Sequence, residues 1–276
     1  MRLRFALGLA ALAGAALAGV ASAAGPAPPV LLGTPGIAVA GGMHVVTVAG
    51  PRSATTRVWL VRDRDGKTVR ERVVRGAVGV PAITFEGLAD GTFANGRRLV
   101  LASSIYDDPT RTRFVVVDTR SLRPLRTITL RGAFAFDALS PSGSRLFLLQ
   151  FPQGVNGGIH YLVRSLNMRT GRLEPGAIVD KTEPDERMGG IALNRAWGPS
   201  RTWAYTLYNG GESHAFVHAL NTRTRTARCI DLPWEGEAQS ILQNVQLTVR
   251  GGSLTLSEPG GDVLARVDTR TFSVTT

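Results

Sequence analysis

An all-β fold is predicted by three observations: two turn signals that alternate along the chain, a spacing near fifty residues between like signals, and apolar runs of strand length with almost no helical periodicity after residue 24. The first signal is an apolar run closing in Asp or Asn with Arg just after it. It falls at Asp63, Asp118, Asn167, Asn221 and Asp268, at steps of 47 to 55 residues. Asp and Asn at a strand end bond the backbone two residues on and start a tight turn. The second is a glycine turn opening onto a strand, at Gly42, Asn95-Gly96, Gly143, Gly198 and Gly252. Asn-Gly favours the two-residue type I′ hairpin because both residues tolerate positive φ. Each unit therefore reads as four antiparallel strands, the pattern of a β-propeller blade. About five four-stranded blades are expected, over 33–80, 81–132, 133–186, 187–237 and 238–276, and the irregular stretch 76–94 leaves room for a sixth.

Before the first blade, Arg2 and Arg4 precede an uncharged apolar run from Phe5 to Val20, and Ala21-Ser22-Ala23 follows as a small-x-small cleavage pattern. The run is shorter than the roughly 20 residues a bilayer span needs. Residues 1–23 are thus expected to be a signal peptide, with 24–276 a single propeller domain. The protein is expected to be secreted or held in the cell envelope, with no transmembrane segment after cleavage. Runs such as "FVVV" and "RLFLL" are apolar at successive positions, which fits sheets covered on both faces.

The segments "FVVVDTRSLRPLRTITL" (Phe114 to Leu130) and "FDALSPSGSRLFLLQF" (Phe136 to Phe151) resemble blade halves of the YncE-like and WD40-like exported bacterial propellers. Those carry S-P-D-G-x-R-L-Y-V and V-I-D-T-x-T-x-K-V-x-x-T-I. Ser142 stands at the family's aspartate, and no blade carries Trp-Asp. The resemblance implies a fold and an extracytoplasmic setting, and no activity.

The net charge of +11 is almost wholly arginine, with Lys67 and Lys181 the only lysines. Basic–aromatic interleaving is lacking, so nucleic acid is not an expected partner. In an antiparallel blade the glycine and Asx turns share one end and the remaining loops the other. Arginines such as Arg62, Arg98, Arg145, Arg195, Arg201 and Arg225 fall to the turn end, and acids such as Asp107, Asp108, Asp180, Glu212 and Glu235 to the loop end. The expected molecule is therefore basic at one end and acidic at the other.

Binding residues concentrate on loops that a rigid scaffold presents. The candidates are Tyr106, Asp107, Asp108, Asn156, Asn209, Glu212, His214, Trp234 and Glu235. His214 and His218 fall on one face if "HAFVHAL" is a strand, with no third metal ligand nearby, so neither a metal nor a cofactor is expected. Cys229, the only cysteine, reads as a small buried hydrophobe. No H-E-x-x-H, G-x-S-x-G, paired C-x-x-C or Walker A pattern occurs. The expected function is non-catalytic: binding a ligand or protein, or scaffolding, with an unknown protein or envelope polymer as partner and the chain a monomer. The alternative is a glycan-directed hydrolase or lyase using loop acids.

Overall fold

The computed structural model describes residues 27–50, 54–152, 160–184, 188–210, 214–234 and 241–276; the expected signal peptide, Asn156, Glu212 and Glu235 lie outside them. Every described element longer than three residues is a β-strand. After β1 (Val30–Leu31), sheet 1 comprises β2 (Gly33–Val39), β3 (Met43–Ala49), β4 (Thr55–Arg62) and β5 (Thr68–Arg75). Next comes β6 (Val80–Pro81), which pairs with β1. Sheet 2 is β7 (Arg98–Ala102), β8 (Arg111–Asp118) and β9 (Pro124–Arg131). Sheet 3 is β10 (Ala133–Leu139), β11 (Arg145–Phe151), β12 (Leu162–Asn167) and β13 (Arg172–Leu173). Sheet 4 is β14 (Ala192–Trp197), β15 (Trp203–Tyr208), β16 (Phe216–Asn221) and β17 (Thr226–Asp231). Sheet 5 is β18 (Gln246–Arg250), β19 (Ser253–Ser257), β20 (Val263–Asp268) and β21 (Val274–Thr275). Among the described residues no helix is long and apolar enough to cross a membrane.

The expected fourth strand of sheet 2 is a remnant. Thr92 bridges Leu99 and Ala82 bridges Ala89, while residues between them leave the sheet. Phe85 donates its N–H to the carbonyl of Ala192 on β14 at 2.9 Å. The irregular stretch therefore holds β6, which forms a two-stranded sheet with β1, and a middle segment tied to sheet 4, and it forms no four-stranded sheet.

Packing follows from the strand sequences. Phe114 and Val116 of β8 face sheet 3, and Val115 and Val117 face sheet 1. On β11, Leu146 and Leu148 face sheet 2, whereas Phe147, Leu149 and Phe151 face sheet 4. Successive residues point to opposite faces of a strand, so a run apolar at every position is a sheet covered twice. Sheet 5 differs. Leu254, Leu256, Ala265 and Val267 pack on sheet 4, and Thr248 and Arg266 on the other face are exposed. Among the described residues no hydrophobic cluster joins sheet 5 to sheet 1.

The two turn signals meet in space. The residue after each Asx position donates its N–H to the glycine turn of the same sheet: Thr119 to Arg97 (3.0 Å), Met168 to Ser144 (2.8 Å), Thr222 to Thr202 (2.8 Å) and Thr269 to Gly252 (2.9 Å). In sheet 1 the donor is Asp63, to Gly42, at 3.0 Å. This corrects the repeat alignment by one residue. Arg62 holds the Asx position, and Asp63 instead meets His44 Nδ1 at 2.7 Å. The neighbouring Asp65 supplies the missing cap to the Lys67 N–H, at 3.2 Å.

The glycine turns differ in length: in sheet 5 Arg250 pairs with Ser253 across a two-residue Gly251-Gly252 turn with both glycines at positive φ, as expected of type I′, but the Asn95-Gly96 turn is longer. Phe93 N–H bonds Arg98 C=O and Gly96 N–H bonds Phe93 C=O, at 2.9 and 2.7 Å, which makes a longer turn with one left-handed residue. In sheet 1 the turn has three residues, with Gly41 and Gly42 at φ 88° and 64°; the longer turn recurs in sheet 3, where Gly143 at φ 67° matches Gly96 at φ 64°. In sheet 4 the matching residue is Arg201, at φ 54°, and Gly198 lies three residues earlier with φ −70°.

Sheet 5 tests the two-face assignment. Leu256→Ala should cost about 2–5 kcal/mol and Thr255→Ala about 0.5 kcal/mol or less, measured by urea unfolding. Equal costs would show that both faces of sheet 5 are covered.

Candidate functional site

Where β10 meets β14, the interface between sheets 3 and 4 holds charge. Arg195 Nη2 donates to Asp137 Oδ1, its Nη1 to the Asp137 carbonyl at 2.5 Å, and its Nε to Thr206 Oγ1 at 2.8 Å. Both side chains are almost fully buried. Burial opposes the charge on Arg195, but Asp137 outweighs it and raises the guanidinium pKa above its usual value. Asp137 Oδ2 is buried with no hydrogen-bond partner. Arg195 was expected on the exposed turn end. It sits instead within β14, where the strand's buried face requires a partner for any charge.

His218 on β16 shares this interface. Burial lowers its pKa to about 4, although the Asp137 charge pulls the other way, so the ring is neutral at ordinary pH. Tyr208 lies edge-on to it with centroids 6.4 Å apart, and burial raises the Tyr208 and Tyr161 phenol pKa values well above the ordinary. Cys229 faces His218 across the β16–β17 ladder, is half-buried, and has Sγ 3.6 Å from Met188 Sδ.

Next to this pair a cavity of about 610 Å³ opens among the first strands of sheets 1 and 4 and the connection 83–92. Leu31, Ile37, Ile83 and Leu88 form its apolar wall. Arg195, Trp197, Arg201 and Asp90 form its polar end. The Arg201 guanidinium lies 4.0 Å from the Trp197 ring centroid and donates to Asp90 Oδ2 at 2.6 Å. Asp90 is buried, and its Oδ1 accepts the Gly91 N–H at 2.7 Å. Arg201 belongs to the β14–β15 turn, so this polar end lies on the turn side of the sheets.

The loop candidates do other things. Tyr106, Asp107 and Asp108 are together on the β7–β8 loop. Tyr106 donates its hydroxyl to the Ala27 carbonyl at 2.9 Å. Asp108 Oδ1 accepts from Thr110 N–H and Oγ1, at 3.0 and 2.6 Å, and these bonds lower its pKa. Asp107 lines a small cleft of about 170 Å³ with Arg111 and Arg113. In sheet 4, Asn209 Oδ1 accepts the Ile191 N–H at 2.7 Å, and Trp234 is buried against sheet 5. His214 precedes β16 and pairs with Asp231 at 3.0 Å, so it does not share a strand face with His218. Asp180, expected among the exposed loop acids, is buried. Burial alone would raise its pKa, but the N–H groups of Thr182 and Cys229 and the charge of Arg228 lower it.

Reading the sequence for loops missed Asp90, Asp137, Arg195, Trp197 and Arg201. One local signal was available: position 201 carries Arg where the matching turns of sheets 2 and 3 carry Gly96 and Gly143.

No protein-family model matches the chain, and no curated protein does. Among solved structures it is similar to TolB from Acinetobacter baumannii, at 12% identity and TM-score 0.47 over 86% of this chain and 53% of that one. It is similar to BamB from Moraxella catarrhalis at 13% identity and TM-score 0.46, over 87% and 62%. A puromycin-hydrolysing peptidase of Mycobacterium tuberculosis aligns at 14% identity and TM-score 0.43, over 86% and 38%. The chain thus spans less than two thirds of the length of each.

Two outcomes check the buried cluster. Arg195→Met should cost about 3–5 kcal/mol by leaving Asp137 buried and unpaired, and adding Asp137→Leu should recover part of that loss. For His218 the folded pKa is depressed while the unfolded chain titrates near 6.5. Its contribution is therefore complete above about pH 6.5 and drains as pH falls toward 4. Between those limits wild type should lose on the order of 3 kcal/mol more than His218→Phe in urea melts. An identical pH dependence for both would overturn the assignment.

Proposed function

We propose that the chain is a non-catalytic binding propeller of the cell envelope or extracellular space, its five sheets the blades and residues 1–23 the export signal. The observation that carries this reading is the cavity of about 610 Å³ at the first strands, apolar along one wall and polar at one end. Its volume lies in the range of small-ligand sites, which combine an apolar lining with a few placed polar groups. The charged groups there are engaged with one another, Arg195 with Asp137 and Arg201 with Asp90. Such pairs hold and orient a ligand; a hydrolase would need a carboxylic acid or nucleophile presented to the substrate. Asp108 and Asp180 are likewise consumed by turn and backbone bonds.

Ala38 lines the cavity, is itself exposed and belongs to neither ion pair, so Ala38→Trp puts bulk into the space while keeping both pairs' residues. A thermal-shift panel of oligosaccharides, peptides, fatty acids and anionic polymers, run on both proteins, tests the reading. Compounds that raise the Tm of the wild type should leave Ala38→Trp unshifted, because stabilisation follows ligand concentration over Kd. Equal shifts in both would move binding away from the cavity.

A further inference from the structure

Resting on that binding reading, we infer that Arg201 is the ligand-recognition residue of the cavity and that its ligand is an apolar group ending in a carboxylate. The first ground is the backbone. Arg201 occupies, at φ 54°, the left-handed position that Gly96 and Gly143 fill in the matching turns of sheets 2 and 3. A residue with a Cβ pays for that conformation and glycine does not. The turn therefore gains nothing from arginine, and the side chain supplies the reason for it.

The second ground is how the guanidinium is held. It lies against Trp197 and is tied at one end to Asp90, which is fixed in turn by Gly91 N–H. Of its five donors, one serves Asp90 among the described residues. The side chain is 36% exposed and lines the cavity, so the remaining edge is open to a ligand there. A planar fork with two free donors matches a carboxylate.

Charge and shape decide the rest of the ligand. Asp90 cancels the charge of Arg201, and Asp137 that of Arg195, so the site has no surplus positive charge for a dianion. A monoanion, which needs only the open edge of the Arg201 fork, is the better fit. Beyond the carboxylate, Leu31, Ile37, Ile83 and Leu88 offer only apolar contact. An acyl chain and the apolar C-terminus of a peptide both meet this description.

Isothermal titration of the full chain with octanoate, N-acetyl-leucyl-leucine, octanamide and acetate tests it. At least one of the two apolar carboxylates should bind about tenfold or more tightly than octanamide, and acetate should bind weakly. Whichever carboxylate binds more tightly identifies the source as acyl chain or peptide end. Arg201→Gly supplies the residue of the matching turns and should fold; it should lose the preference for carboxylate over amide. Should it fail to fold, Arg201→Gln is read the same way. Octanamide binding as tightly as both carboxylates, unchanged carboxylate affinity in the variant, or no carboxylate binding at all would each overturn the inference. If octanamide still binds and Ala38→Trp blocks it, the cavity remains the binding site and only the role of Arg201 falls.

Discussion

A sheet placed between two others must bury both its faces, and most of this molecule follows from that demand. Strands β8, β11 and β15 are apolar at consecutive positions because each face has its own neighbour. Among the described residues sheet 5 packs on sheet 4 alone and alternates, with Leu254 and Leu256 inward and Ser253, Thr255 and Ser257 outward. Apolar contact is nondirectional, so it sets that sheets pack more firmly than it sets how they are aligned. The Arg195–Asp137 pair supplies direction. Its bonds form at one relative position of β14 and β10 only, and a slip by one residue would leave two charges buried and unpaired.

The same pair positions the cavity. β14 carries Arg195 inward, then Trp197, and runs into the turn that holds Arg201. On the opposite side, the 83–92 connection is held to β14 through Phe85 and to Arg201 through Asp90. The polar end of the cavity is therefore framed by elements fixed through buried hydrogen bonds and not by free loops. That geometry favours binding without large rearrangement, since little ordering remains to be done when a ligand enters.

Local patterns made the repeat legible: strand-length apolar runs, Asp or Asn at strand ends, and glycine where φ turns positive. They read the order of sheets 1 to 5 well because each pairs only neighbouring strands of the chain; the β1–β6 pair, which joins distant strands, left no such pattern. They read the turns less well. Asp63 and Asp65 both follow the Asx position of sheet 1, and only the bond from Asp63 to Gly42, which is not local in sequence, shows that Arg62 stands there. The site was harder still. Arg195 and Asp137 are 58 residues apart, and Arg201 and Asp90 are 111 apart, so no local pattern joins them. An arginine in a strand reads as exposed unless its partner is known, and the expectation of a basic turn end absorbed both arginines for that reason.

Position 201 shows how an exception to a repeat can be read. Sheets 2 and 3 build the same turn with glycine at the left-handed residue, Gly96 and Gly143, so the backbone favours glycine there. Leu122, Arg225 and Phe272 also adopt positive φ, in the Asx turns, where Gly66 and Gly171 fill the corresponding places. Two of those have a packing reason: Leu122 is wholly buried and Phe272 packs edge-on against Trp203 at 5.4 Å. Arg225 has an electrostatic one, in Glu174 at 3.2 Å. Those three side chains each make a contact that offsets the backbone cost, whereas Ser200, next to Arg201 and left-handed at φ 57°, is exposed. Arg201 makes its contacts with Asp90 and Trp197 at the mouth of a cavity, so what it offsets there is tied to whatever enters that space.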